Sequence, residues 1–239
     1  MTVRIGRVAA ICRGSVPALS RVWVARWEHS MISAYEATWL PLTGQSDGED
    51  PTIVATAHAE RLCCEQGVRG VLVTHHLRDA ATSSLERFAA NHGHITRKSP
   101  GRARYSRGPV LVDVPDAKLL ELAHKRANGR SLCAIEGGQL GLRGWATATD
   151  AVDLVTGERP EPLAVPIREA LDALKWAGNN GWYDRPGKRD ARRILQELIH
   201  LKPSLDADFV IGYMIARGAF GDSAEGLRKL MPIGSATSR

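Results

Sequence analysis

Nothing in this chain approaches the roughly 18 consecutive apolar residues that a membrane-crossing helix requires, so no membrane partner is expected. Cysteine is scarce: Cys12, Cys63, Cys64 and Cys133 are the only four, and none stands at a CxxC or Cys/His ligand spacing. That argues against a structural zinc site and for a reduced, cytoplasmic chain. No GxxxxGK[ST] run occurs, which excludes an ordinary P-loop, and no G-x-S-x-G nucleophile elbow is present. The glycines Gly137, Gly138, Gly141 and Gly144 miss the G-x-G-x-x-G spacing of a dinucleotide turn, leaving a mobile surface loop or a backbone cradle for a phosphate. Acids are missing from the first 27 residues, which hold five arginines. Such a start has the composition of an organelle transit peptide but few serines and no amphipathic seam; a basic arm, or a true start at Met31, reads equally well.

A chain of 239 residues can bury a core without staples, as one large α/β domain or a medium domain with an appendage. The net charge of +6 and pI near 9.4 favour polyanionic partners. The five arginines at the start are offset by five acids between residues 28 and 50, so the excess resides beyond residue 50.

The turn formers and acids of "PLTGQSDGEDP" predict a linker, and residues 1–50 are read as an N-terminal arm and linker. A regular alternation begins after Pro51. "TIVA" reads as a short strand, "TAHAERLCCEQG" as a helix stopped by Gly67, and "GVLVT" as a strand. A helix capped by Ser83 or Asp79 follows, then a short "HIT" strand. "PVLVDV", a helix capped by Asp116 and ended at Asn128 and Gly129, and the strand "SLCAIE" continue the series. "GGQLGLRGW" reads as a loop, and "TATDAVDLVTGERPEP" as one or two strands. Nearly continuous apolar strands joined by helices imply a mostly parallel, Rossmann-like α/β sheet covered on both faces, over residues 51–163. Residues 164–239 read as a helical module.

In such a sheet, ligands bind beyond the carboxyl ends of the strands. His75 and His76 follow "VLVT", Asp113 and Asp116 flank "VPD", and Glu136 follows "LCAI". Asp113 and Glu136, if brought together, would hold Mg²⁺ or Mn²⁺ against a phosphate, with His75 or His76 positioning water or a proton. Strand alternation would turn the two histidines opposite ways, so that one at most faces the crevice. The stretch ending at Glu136 and Gly137 resembles, over about seven residues, the strand-Glu-Gly start of the TOPRIM fold of topoisomerases and primases. The later Asp-x-Asp of that family has no counterpart, since Asp150 and Asp153 stand at a different spacing.

Two basic clusters stand out. The segment 97–107 carries Arg97, Lys98, Arg102, Arg104 and Arg107 around Tyr105 with no acid, a pattern suited to phosphate contacts and base stacking. Lys188, Arg189, Arg192 and Arg193 form a second patch on a predicted helix. The leading expectation is a protein that binds nucleic acid through these clusters. A metal-dependent phosphoryl-transfer enzyme, nuclease-like and built on the strand-end acids, is the alternative. A third expectation is a non-catalytic interaction protein presenting Trp176 and Trp182.

Overall fold

A computed structural model describes residues 36–42, 51–80, 82–101, 107–178 and 181–232. Among the described residues, six strands form one all-parallel sheet: β1 (Ala37–Leu40), β2 (Val71–Thr74), β3 (His94–Thr96), β4 (Val110–Asp113), β5 (Leu132–Ile135) and β6 (Val152–Asp153). Their order is β3-β2-β4-β5-β1-β6. Eight α-helices accompany them: α1 (Pro51–Gln66), α2 (Ser83–Asn91), α3 (Ala117–Ala127), α4 (Arg143–Thr149), α5 (Val165–Ala177), α6 (Arg185–Leu201), α7 (Ala207–Ala216) and α8 (Gly221–Gly226). The fold is Rossmann-like α/β with further helices toward the C-terminus.

The strands form where the sequence concentrates apolar and β-branched residues, and β2 and β5 are buried along their whole length. Alternate residues of each strand serve opposite faces. Leu72, Leu111, Cys133 and Ile135 join α1 and α2 through Ala55, Ala59, Leu85 and Phe88. Val71, Val73, Val110, Val112 and Ala134 join a larger core with residues of α3 to α7. The helices beyond residue 164 therefore share their hydrophobic core with the sheet. Asp116 caps α3, its Oδ1 accepting from Leu119 N at 2.8 Å, and Asn128 and Gly129 leave that helix with positive φ.

Four local expectations are corrected. Residues 52–55 are not a strand: Pro51 opens α1, and the Thr56 hydroxyl donates to the Thr52 carbonyl at 2.7 Å within the helix. The strand of that region is β1, inside the stretch read as arm and linker, and it lies between β5 and β6 with Thr38 and Leu40 buried. The cap of α2 is Thr82 rather than Ser83 or Asp79, its Oγ1 accepting from Leu85 N. The glycine-rich loop also gives way to α4, because Gly144 lets the helix lie directly on the backbone of α7.

Candidate functional site

The chain leaves β2 toward one edge of the sheet, reaching β3, and leaves β4 toward the other, reaching β5. Neighbouring strands whose connections diverge in this way open a crevice at their carboxyl ends. A cleft of about 520 Å³ lies there. Thr74, His75, His76 and Asp79 border it from β2 and the 3₁₀ turn Leu77–Asp79; Asp113, Val114 and Asp116 border it from the β4–α3 turn; Arg97 and Gln139 complete it.

The two histidines differ in their bonding but both border the cleft. The strand ends at Thr74, so its alternation no longer separates them. His75, half-buried, has Nε2 3.1 Å from the Val114 carbonyl, which makes Nε2 the donor. Its Nδ1 lies 4.0 Å from Asp116 Oδ2, which also accepts from Arg97 at 3.1 Å. His76 is exposed, and its backbone N–H donates to Asp79 Oδ2 at 2.7 Å. Val114 has φ +42°, strained for a β-branched residue, and Gly137 is required beside it: a Cβ there would lie 2.3 Å from Val114 Cγ1.

Glu136 does not join this group. Glu136 follows the end of β5 and does not border the cleft, because its carboxylate is held by two backbone amides. Its Oε2 accepts from Leu42 N at 2.9 Å and its Oε1 from Leu142 N at 2.7 Å, tying the exit of β1 to the start of α4. Burial raises the Glu136 carboxyl above the ordinary range, opposed by those two amides and reinforced by the charges of Asp208 and Asp153. Among the described residues no group of three or more His, Cys, Asp or Glu is placed to hold a metal ion. Of the pair expected to bind Mg²⁺ or Mn²⁺, Asp113 borders the cleft, whereas the Glu136 carboxylate accepts from the Leu42 and Leu142 amides. Cys133 is a poor nucleophile, since burial pushes its thiol up to about 12.

The basic clusters divide. Arg97, Lys98 and Arg107 are exposed; Arg102, Arg104 and Tyr105 lie outside the described residues. On α6 the four cations separate by helical period. Arg189 and Arg193 turn toward Asp190 and Glu197, at 3.4 and 3.9 Å. Lys188 and Arg192, four residues apart, share a face and border a second cleft of about 340 Å³. Lys229, from the 3₁₀ turn Leu227–Leu230, adds a third cation, while Arg228 beside it is bound inward to Asp208 and Glu225. Among the described residues no acid borders this cleft. The side chains of its three cations form no ion pair or hydrogen bond with another described residue.

Sequence reasoning located two of these cations but not the cleft, whose floor comes from a strained turn. Trp182, expected on the surface, is buried with φ +56°, its Nε1 donating to the Leu174 carbonyl at 3.0 Å. Gly178 makes this possible, since a Cβ there would fall 2.0 Å from the indole. Tyr183 follows, 60% exposed, with its hydroxyl 2.9 Å from Ser223 Oγ. Trp176, by contrast, is exposed as expected. Gly221 N donates to Glu121 Oε2 and Lys118 pairs with Asp222, so α8, which supplies Ser223 and Gly226 to this cleft, packs on α3.

No family model, curated protein or solved structure matches the chain. No helix among the described residues is long and apolar enough to cross a membrane.

Proposed function

We propose that the protein binds nucleic acid, holding phosphates with lysine and arginine side chains and reading little sequence. One observation carries this reading: Lys188, Arg192 and Lys229 converge on one concave surface without an acid beside them. Several cations elsewhere meet partners, as in Arg61 with Glu65, Arg159 with Asp150 and Arg217 with Asp172. Three unneutralised cations around a cleft repel one another, and a phosphate chain relieves that repulsion while releasing its own counterions. Arg97, Lys98 and Arg107, with Arg102, Arg104 and Tyr105 between them in sequence, would extend the track from the rim of the switch-point cleft.

The test is fluorescence anisotropy of a labelled 20-nucleotide oligonucleotide over a salt series, comparing the protein with the variant Lys188→Ala/Arg192→Ala/Lys229→Ala. Each lost phosphate contact removes about 0.7 from the slope of log affinity against log salt for a single strand, so the slope should flatten by about 2. An unchanged slope and affinity would overturn the reading.

A second reading, phosphoryl transfer, rests on the switch-point cleft with its exposed His76 and half-buried Asp113. With the Glu136 carboxylate held by the Leu42 and Leu142 amides, Asp113 and His76 would carry that chemistry.

A further inference from the structure

We infer that the cleft bordered by Tyr183 and Lys188 takes one unpaired nucleotide of a single strand, its base against the Tyr183 ring and its phosphates at the cationic rim. This rests on the nucleic-acid reading above and specifies its substrate. The cleft is two-part in chemistry. Its floor is apolar, with Trp182 and Leu230 buried in it and the Tyr183 ring exposed at its side. Its cations, Lys188, Arg192 and Lys229, are themselves exposed. An exposed aromatic beside an apolar floor stacks on the face of any base, and rim cations match the flanking phosphates.

The volume of about 340 Å³ is at the small end for a ligand site, room for a single nucleotide rather than a dinucleotide or a groove-spanning helix. A duplex keeps its base faces stacked inside and presents only its sugar-phosphate surface. It would touch the rim and leave the floor empty, unless a base were unstacked at a cost of a few kcal/mol. The turn holding Tyr183 is also strained: Trp182 keeps a left-handed backbone that ordinary turn chemistry avoids, between Gly181 at φ +80° and the helix cap Asp184. Strain of this kind persists where the surrounding structure fixes a functional surface. Here it drives the indole under α5 and leaves the tyrosine ring free at the mouth.

The experiment measures anisotropy of labelled oligothymidylate, a hairpin duplex of the same charge and, by competition, thymidine monophosphate, with wild type, Tyr183→Ala and Tyr183→Phe. The expected result is tighter binding of the single strand than of the duplex. Tyr183→Ala should weaken single-strand binding about tenfold or more with an unchanged salt slope, and Tyr183→Phe, which keeps the ring, should bind like wild type. The phenylalanine variant also shows that a loss in the alanine variant is loss of stacking and not of the Ser223 hydrogen bond. Equal affinity for strand and duplex, both indifferent to Tyr183→Ala, would overturn this inference while leaving phosphate binding in place. Thymidine monophosphate competing as well as the oligonucleotide would overturn the strand in favour of a free nucleotide. Absence of binding to every probe would overturn both this inference and the reading beneath it.

Discussion

Replacing Gly144 by Ala tests how the C-terminal helices are joined to the sheet. A Cβ on Gly144 would lie 1.8 Å from the Phe209 carbonyl oxygen and 2.5 Å from its carbon, against main chain that cannot rotate aside. Ordinary contact needs about 3.4 Å, so α4 and α7 must separate by roughly 1.5 Å. That crossing is fully dry: Trp145, Val210, Ile211 and Met214 are all buried there. Overpacking typically costs about 1–3 kcal/mol, and a backbone clash belongs at the upper end, about 3 kcal/mol. For a chain of this size each kcal/mol moves the melting temperature by roughly 2–4 °C, giving a fall of about 6–12 °C. Gly212→Ala, whose Cβ would lie 2.9 Å from Trp145 N, should fall less, and Gly138→Ala, with nothing within 4 Å, should change little. Differential scanning calorimetry reads all three. Because sheet and C-terminal helices share one core, each variant should melt in a single transition. A Gly144→Ala melting point within about 1 °C of wild type, or two separated transitions, would refute the packing described.

The buried His58 and the half-buried His92 should make the fold acid-sensitive. Burial, with the charge of Arg61, lowers His58 to about 3, and burial with Arg69 lowers His92 to about 4, whereas the unfolded chain takes up those protons near 6.5. Their contribution is therefore complete above about pH 6.5 and is lost as the pH falls toward 4 and 3. Urea unfolding at pH 7 and 5 should show a decrease of about 2 kcal/mol from His58 and, discounted for its partial exposure to solvent, about 1 kcal/mol from His92, and His58→Gln should remove the larger share; the same decrease in that variant would contradict a neutral, buried His58. Glu136→Gln leaves one backbone amide without its carboxylate oxygen and should cost about 1–2 kcal/mol in the same assay without altering oligonucleotide affinity; weakened binding with unchanged stability would make Glu136 a ligand residue instead. Arg97→Ala/Arg107→Ala should flatten the salt slope by up to about 1.4, and an unchanged slope would confine phosphate contact to the α6 cleft. If the switch-point cleft performs phosphoryl transfer, oligonucleotide cleavage in the presence of Mn²⁺ should disappear in Asp113→Asn and His76→Ala; no cleavage by the wild type would end that reading.

Most of the sheet was legible because fully buried parallel strands write themselves as short apolar runs, as in "GVLVT" and "PVLVDV". The two misassigned segments show where local pattern stops deciding. Thr52, Ile53 and Val54 are β-branched and prefer strands in isolation, but Ala55, Ala59, Leu62 and Cys63 give the helix a continuous buried stripe, and tertiary packing overrides the local preference. The strand Ala37–Leu40 has only four residues beside a stretch rich in turn formers, and its burial depends on neighbours almost a hundred positions away. Strand order decided the site. The carboxyl-end crevice was predictable in kind, and His75, His76, Asp113 and Asp116 do border it, but the turning of Glu136 to the amides of Leu42 and Leu142 depends on contacts that only the fold supplies. The α6 cleft was half legible: Lys188 and Arg192 follow from helical spacing, whereas Lys229 and the strained turn at Trp182 come from elements that only the fold brings together.

The most direct measurement is photochemical cross-linking of the intact protein to a single-stranded oligonucleotide carrying 4-thiothymidine, with the modified peptides identified by mass spectrometry. Cross-links should fall on residues 181–192 and 223–230, centred on Tyr183, and should fade as salt is raised. Cross-links confined to the switch-point residues 74–79 and 113–116, or scattered over the surface without these two segments, would contradict nucleic-acid binding at the α6 cleft.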